Sequence, residues 1–434
     1  MMDRDTREPF CTSLRGPSAK RRDGFGAMSH RRLHGLKPEL ETLLKRFGVG
    51  QITRSGKRVL CIVASIVNLP QIEHACGARF MLNMRQVLRE RARDLCREHA
   101  GTVAMSGEHM LFVFDALPYA CRARSDMDML PAHLLDSILT RLSERPVRFG
   151  AAVAFPLMQA SIGRFDDEPF DIASVNSALS VGIAAGDSQA QFAMDTRVAE
   201  SVFGAMHDGL LDFDLEPICD AREPAATLYL EALLCKKGDA LRERHRIGSE
   251  VRALERLGVV RRLDRWGVGA IIDRLRSNPD ARLGCNVSAR SAVVDGWWAL
   301  VFATLACEPD VASRLTVEIT ETFPLAHLDA TREFVAALRS LGCRVALDDL
   351  GHDFGSLRNL ITLGVDIVKL DRALVAACRD DGPAVARFAQ LIELAKVCAS
   401  SIIVEGIETR RDAQIACASG ATGLQGYLYS SAAN

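Results

Sequence analysis

The chain has no Cys-x-x-Cys pair, although 13 cysteines are spread over its 434 residues. Without such pairs the common structural zinc frameworks are excluded. The cysteines are odd in number, and Cys61, Cys285, Cys343 and Cys398 sit in apolar surroundings, where a free thiol packs as a small hydrophobe. That usage predicts a reducing compartment, the cytoplasm. Long hydrophobic runs are also missing. The longest, around Trp297 to Cys307, is about half the length of a membrane span. Nor does one sign of charge dominate: the net charge is -1, so nothing draws the whole chain to nucleic acid or to a membrane. The first 35 residues are rich in arginine but lack the apolar core of a secretory signal. Residues 1–35 read as a disordered tail, with a partner-binding basic arm as the sharper alternative.

What is present is a globular composition, 48% apolar and 25% charged, at a length that favours two domains. Residues 36–55 read as a short amphipathic helix and linker. From 56 to about 200 the pattern is α+β. A strand is expected at Arg58–Val63 and a long helix at Ala78–His99. A strand, turn and strand follow over 101–114, then a helix at Leu134–Arg145 and a strand at Val147–Phe155. The stretch 157–190 has no clear assignment. From 205 to 434 strands alternate with helices near 251–257, 261–275, 297–305, 330–341, 384–398 and 409–419. Alternation over this length predicts a parallel sheet closed as an eight-stranded (β/α)8 TIM-like barrel. A doubly wound open sheet is the alternative, with ligands at one switch point.

The chemistry lies where the apolar runs of this second half end. Glu231 follows Leu228-Tyr229-Leu230, and Asn286 ends Leu283-Gly284-Cys285. Glu318 sits in Leu315-Thr316-Val317-Glu318-Ile319. Asp348 and Asp349 close Val345-Ala346-Leu347. Lys369 and Asp371 close the run at 365–368, Glu405 closes Ile402-Ile403-Val404, and Gln425 follows Gly423-Leu424. One acidic residue at a strand end is more often a loop or cap residue. Many at successive ends need one place to converge, and the C-terminal mouth of a barrel provides it. Hard oxygen ligands gathered there imply divalent metal ions and phosphate chemistry. Neighbours on a strand point to opposite faces, so Asp348 and Asp349 are expected to diverge, one entering the mouth and one reaching a second ion. Glu321, three residues after Glu318, is expected in the following loop as an anchor for the ligands.

These segments resemble the EAL domain, a bacterial phosphodiesterase that hydrolyses cyclic di-GMP. The resemblance is carried by Glu231-Ala232-Leu233, Asn286-Val287-Ser288-Ala289-Arg290, Glu318-Ile319-Thr320-Glu321, Asp348-Asp349, Lys369-Leu370-Asp371, Glu405-Gly406-Ile407-Glu408 and Gln425-Gly426-Tyr427, in the family's order. It implies two Mg²⁺ or Mn²⁺ ions. Glu231, Asn286, Glu318 and Asp348 would hold the first. Asp349 would hold the second, with Asp348 or Glu405. Glu231, Lys369 and Glu405 are the implied catalytic groups; Lys369 would orient the attacking water, or pair with Asp371 or Glu405, or both. Glu216, Leu234, Cys235, Asn286, Asp371, Glu408 and Gln425 are the implied substrate contacts.

Three departures stand out against the family's pattern. Cys235 takes the place of a substrate-gripping arginine, with Lys236 and Lys237 beside it. Glu216 takes the place of a glutamine. The loop after Asp349 carries His352 and Asp353 in a segment that couples metal binding to dimerisation, and relatives form homodimers through the barrel. The first half resembles a degenerate GGDEF domain. Ser106-Gly107-Glu108-His109-Met110 stands for the signature, while Ser65 and Val67 replace the upstream carboxylates. Cyclising GTP needs carboxylates to hold Mg²⁺ against the triphosphate, so no cyclase activity is expected. The expected whole is a cytoplasmic cyclic di-GMP phosphodiesterase. The alternative is an inactive barrel that acts as a cyclic di-GMP receptor or a scaffold.

Overall fold

The computed structural model describes residues 59–115, 124–163, 189–238, 244–320, 328–351, 357–379 and 382–430. The expected tail (1–35) and linker helix (36–55), and the site candidates Glu321, His352 and Asp353, lie outside the described residues.

In the first half, β1 (Val59–Ile66), β2 (Gly101–Ser106), β3 (His109–Asp115) and β6 (Met158–Gly163) form an antiparallel sheet in the order β2-β3-β1-β6. The helices Ala78–Glu98 and Arg124–Ser143 pack on it. The long helix forms because Phe80, Met81, Met84, Leu88, Ala92 and Leu95 fall on one face at helical spacing, and all are buried. The single strand expected at 147–155 is instead a hairpin of β4 (Val147–Phe149) and β5 (Ala152–Ala154), broken by Gly150 at φ 60°. A left-handed turn residue inverts the chain there, and glycine adopts it without cost from a Cβ.

The second half is a closed barrel of eight strands: β7 (Leu211–Asp220), β8 (Thr227–Lys237), β10 (Leu283–Ser288), β11 (Leu315–Thr320), β12 (Arg344–Leu350), β13 (Ile367–Leu370), β14 (Ser401–Val404) and β15 (Gly423–Gln425). Pairing of β10 with β8 closes the ring, so no edge is left open. The open-sheet alternative is thereby excluded. One strand departs from a regular (β/α)8 pattern: β7 runs antiparallel to both β15 and β8. A hairpin to β8 needs only a short turn, which is why no crossover helix separates them. A three-residue strand, β9 (Arg244–Arg246), extends the hairpin beyond the barrel on the far side of β8.

Inside the barrel Ile218, Tyr229, Ala346, Ile367 and Ile403 form one apolar layer. Two residues further along each parallel strand stand Glu231, Asp348, Lys369 and Glu405. Residues i and i+2 share a strand face, so the layer above this plug is the polar mouth.

The two halves pack tightly. Trp297 Nε1 donates to the Met158 carbonyl at 2.8 Å, and Arg262 donates to the Glu144 carbonyl at 2.7 Å with its guanidinium over the Phe203 ring. Arg256 forms a bidentate pair with Asp195 of the helix Gln189–His207, at 2.8 and 2.6 Å. That helix crosses the boundary expected at 200–205 and packs on both halves. The tryptophan pair thus divides: Trp297 serves the contact between halves, while Trp298 packs with Phe302 and Phe334 among the helices of the barrel.

The helix Val260–Ser277 also carries Asp264, which accepts from the Ser288 backbone N–H at 3.2 Å and from the Ser291 hydroxyl. Burial pushes its carboxyl up to about 7; the Glu255 charge adds to the rise, and the two hydrogen bonds and Arg261 oppose it. The folded pKa therefore lies above the unfolded one. Between about pH 4 and 7 the folded state keeps a proton that the unfolded chain loses, and stability falls by up to ~1.4 kcal/mol per pH unit. The excess stability of wild type over Asp264→Asn in urea unfolding is expected to shrink as pH rises through this window. A pH-independent difference would refute the assignment.

Candidate functional site

At the mouth, Lys369 is the hub. Its Nζ lies 2.7 Å from Glu405 Oε1, 2.8 Å from Glu318 Oε2, 2.9 Å from Glu231 Oε2 and 3.1 Å from Asp348 Oδ1. The side chain is 1% exposed. Asn286 Nδ2 donates to Glu231 Oε1 at 2.6 Å, and Gln425 Nε2 to Glu231 Oε2 at 2.6 Å. Glu231, Asn286, Glu318, Asp348, Lys369, Glu405 and Gln425 thus converge from seven strands. Of the two partners expected for Lys369, Glu405 is in place. Asp371 instead caps the helix Arg372–Ala376, accepting from the Ala373 N–H at 2.8 Å. An aspartate one residue before a helix satisfies an orphan N–H there, a bland role that its sequence position also fits.

Asp349 does not diverge from the site as strand alternation predicts. Between Leu347 and Leu350, β12 carries one residue more than β13, so Asp348 and Asp349 together face Lys369. This is a β-bulge, and Asp349 takes the left-handed conformation at φ 58°. The extra residue turns the second carboxylate back toward the mouth. Such a conformation is costly for a non-glycine residue and is found where surrounding structure enforces it. Two acidic groups result: Glu231, Glu318 and Asp348, and Asp348, Asp349 and Glu405, the oxygens of each lying within 4.8 Å of one another. They share Asp348.

The donor set fits hard divalent cations. It consists of carboxylate oxygens plus Asn286 Oδ1, which is buried without a hydrogen-bond partner while its Nδ2 is engaged. Such an orphan acceptor costs free energy unless something positive meets it.

Electrostatics point the same way. Burial raises the Glu318 carboxyl to about 8, helped by the Glu231 and Asp348 charges and opposed by Lys369. Burial likewise raises Asp348 and Glu405, with Lys369 again opposing. For Glu231 burial also pushes upward, but Lys369 and the hydrogen bonds from Asn286 and Gln425 prevail and hold the carboxyl low. Burial disfavours the Lys369 ammonium, yet its four carboxylate neighbours raise it well above the ordinary lysine value. One cation thus faces four acids, and the imbalance is stored as raised carboxyl pKa values.

Two residues that sequence patterns did not single out shape the site. A Cβ at Gly284 would collide with the Glu318 carboxylate and the Tyr229 ring, so only glycine leaves them room. Tyr229 lies beneath Glu318 with its buried hydroxyl unpartnered. A glycine within an apolar strand is a signal for close approach and could have flagged the position.

The rim is built from the β7–β8–β9 ribbon. Glu216 lies opposite Glu231 in register, and its Oε1 is 3.5 Å from Gln425 Nε2. Cys235 is fully buried opposite Arg246, and burial raises its thiol, so it has none of the character of a reactive cysteine. Leu234 packs against the core outside the barrel. Glu408 is exposed and accepts from Arg379 at 3.0 Å. Lys236 donates to Ser201 and Lys237 pairs with Asp212 at 3.7 Å.

Replacing Lys369 leaves four acids without their cation. Lys369→Met is expected to lose about 3–5 kcal/mol in urea unfolding at neutral pH. Lower pH or added Mg²⁺ should restore part of it. Wild-type stability in that variant would rule out the hub.

A family model, EAL domain, matches residues 199–432. An uncharacterized protein of Mycobacterium tuberculosis is 25% identical over 422 residues, covering 92% of this chain and 64% of that protein. The cyclic di-GMP phosphodiesterase TpdA of Vibrio parahaemolyticus is 33% identical over 132 residues, covering 30% of this chain and 23% of TpdA. The chain spans less than two thirds of the length of either. Among solved structures, the Vibrio cholerae LapD S helix-GGDEF-EAL structure aligns with a TM-score of 0.49 and 16% identity, covering 86% of this chain and 90% of that one. The matched model takes in more than half of the sequence, and the chain belongs to the EAL domain family.

Proposed function

We propose that this chain is a cytoplasmic, metal-dependent phosphodiesterase that hydrolyses cyclic di-GMP to linear pGpG. The observation that carries the reading is the pair of acidic groups that share Asp348 beside a buried lysine. Family membership and the similarity to the cyclic di-GMP phosphodiesterase TpdA support the substrate class.

Glu231, Asn286, Glu318 and Asp348 would hold one Mg²⁺ or Mn²⁺ ion, and Asp349 with Asp348 or Glu405 a second. When bound, such ions would offset negative charge on the phosphodiester oxygens and lower the pKa of the attacking water. The chain's own residues do the rest. Gln425 and Asn286 fix the Glu231 carboxylate through both oxygens, so it need not reorganise during the reaction. Lys369 holds the four acids in place and offsets negative charge that develops at phosphorus. Glu405, 17% exposed, is the most open of the four acids around Lys369 and is placed to take the proton of the attacking water. Water oxygen bonds to phosphorus as its proton passes to Glu405, the P–O3′ bond breaks, and the departing O3′ takes up a proton from solvent.

The first half contributes no cyclase chemistry in this reading. Ser65 Oγ and His109 Nδ1 lie 2.7 Å apart, both buried, where GTP cyclisation would need carboxylates. The half is proposed as a degenerate GGDEF-like module that supports the barrel.

The test is incubation of the full chain with cyclic di-GMP and Mn²⁺, followed by chromatography of pGpG. Turnover is expected, and Glu231→Ala or chelation with EDTA is expected to abolish it. Binding without turnover would replace the enzyme by a receptor, and neither would leave a scaffold. Because Glu318 gives up its proton near pH 8, Mn²⁺ affinity is expected to rise with pH up to that region, with protons released on binding. Calorimetric titrations in buffers of different ionisation enthalpy measure both; an affinity that falls over this range would count against the assigned ligands.

A further inference from the structure

The mouth is strongly acidic, and its lysine is enclosed by carboxylates. An anionic phosphodiester approaching it needs exposed positive charge at the rim. The basic residues next to Cys235 do not supply it: Lys236 points to the opposite face of β8, where it meets Ser201, and Lys237 pairs with Asp212. The short strand β9 does. Arg244 and Arg246 lie on one face of it, because residues two apart on a strand point the same way. Arg244 is spent on Asp212 and Asp214. Arg246 instead reaches across β8 to Glu216 on β7, at 2.9 Å, while 57% of its side chain remains exposed. A chain of polar contacts then leads inward: Arg246 to Glu216 at 2.9 Å, Gln425 to Glu216 at 3.5 Å, and Gln425 to Glu231 at 2.6 Å.

We propose that Arg246 is the residue that binds a phosphate of the substrate, with Glu216 as the positioning residue that holds its guanidinium over the rim. This rests on the proposed phosphodiester substrate. Guanidinium presents a planar fork of donors that matches a phosphate's oxygens. Its bond to Glu216 uses one terminal nitrogen and fixes the side chain before the ligand arrives, which lowers the entropic cost of binding. The same geometry gives the two unusual rim residues one cause. Cys235 stands directly opposite Arg246 in register, and paired side chains on one face are about 5 Å apart. A small residue at 235 leaves the passage over β8 open to the arginine. An acid at 216 gives that arginine an anchor, where a neutral amide would hold it less firmly.

The experiment measures the Kd of the full chain for cyclic di-GMP by calorimetry in EDTA, and KM and kcat with Mn²⁺. Arg246→Gln is expected to weaken Kd and raise KM by roughly ten- to a hundredfold, as loss of a charge-assisted contact does, with kcat changed far less. The Tm should move little, since the arginine is exposed and a glutamine in its place can still donate to Glu216. Arg246→Lys keeps the charge without the fork and is expected to fall between. Cys235→Arg added to Arg246→Gln should recover affinity, because a guanidinium then enters the same space from the adjacent strand. Wild-type Kd and KM in both Arg246 variants would overturn this assignment alone. A wild-type chain that neither binds nor hydrolyses cyclic di-GMP would overturn the functional reading and this one with it.

Discussion

One buried ammonium sets the terms for the barrel mouth. Lys369 meets four carboxylates from four other strands at 2.7 to 3.1 Å, and each of those strands must keep its register for the contacts to exist. Removing so many charges from water is expensive, and a well-packed apolar layer would cost less. Directly below, the barrel has that cheaper solution in Ile218, Tyr229, Ala346, Ile367 and Ile403. The mouth therefore carries electrostatic strain that packing alone would not require. One positive charge cannot balance four negative ones, so Glu318, Asp348 and Glu405 hold their protons more tightly than carboxyls ordinarily do. A divalent cation relieves that imbalance by displacing protons, which couples ion binding to pH.

Much of this was legible in the sequence for a simple reason. On a parallel strand the residue two places after a buried apolar side chain shares its face. Tyr229 and Glu231, Ala346 and Asp348, Ile367 and Lys369, and Ile403 and Glu405 all obey that rule, so apolar runs ending in charge announced a polar layer above an apolar plug. The rule fails at Asp349, where the bulge inserts a residue and inverts the expected direction. A bulge depends on the partner strand's register, which a single strand's pattern does not contain. The same limit hid the antiparallel run of β7. Alternation of apolar residues marks a strand without marking its direction, and only the short link to β8 hinted at a hairpin.

Residues whose roles depend on distant partners were the least legible. Asp371 closes an apolar run as its neighbours do, yet a helix begins one residue later and takes its carboxylate as a cap. In sequence Glu216 is only an acid where the family has a glutamine, which alone would disfavour an anionic ligand. Its pairing with Arg246, 30 residues away on a strand of three residues, offsets that charge. Trp297 and Trp298 were indistinguishable in sequence, but one donates its indole N–H to Met158 of the first half and the other to Ser291 within the barrel.

The first half bears on the mouth through packing. The helix Val260–Ser277 holds Glu144 and Phe203 on one side through Arg262. On its other side Asp264 grips the end of β10 at Ser288, two residues beyond Asn286. Ser288 also donates to Glu255, at 2.5 Å, and Glu255 adjoins the arginine that clamps Asp195. Asn286 must sit within hydrogen-bond distance of Glu231 to leave its carbonyl oxygen facing the acids, so a shift of β10 by even an ångström would break that contact. The interface with the first half thus bears on the one neutral ligand candidate of the site. Asp264 and Glu255, both buried beside Ser288, repel one another, and the helices that carry them must hold that repulsion in place.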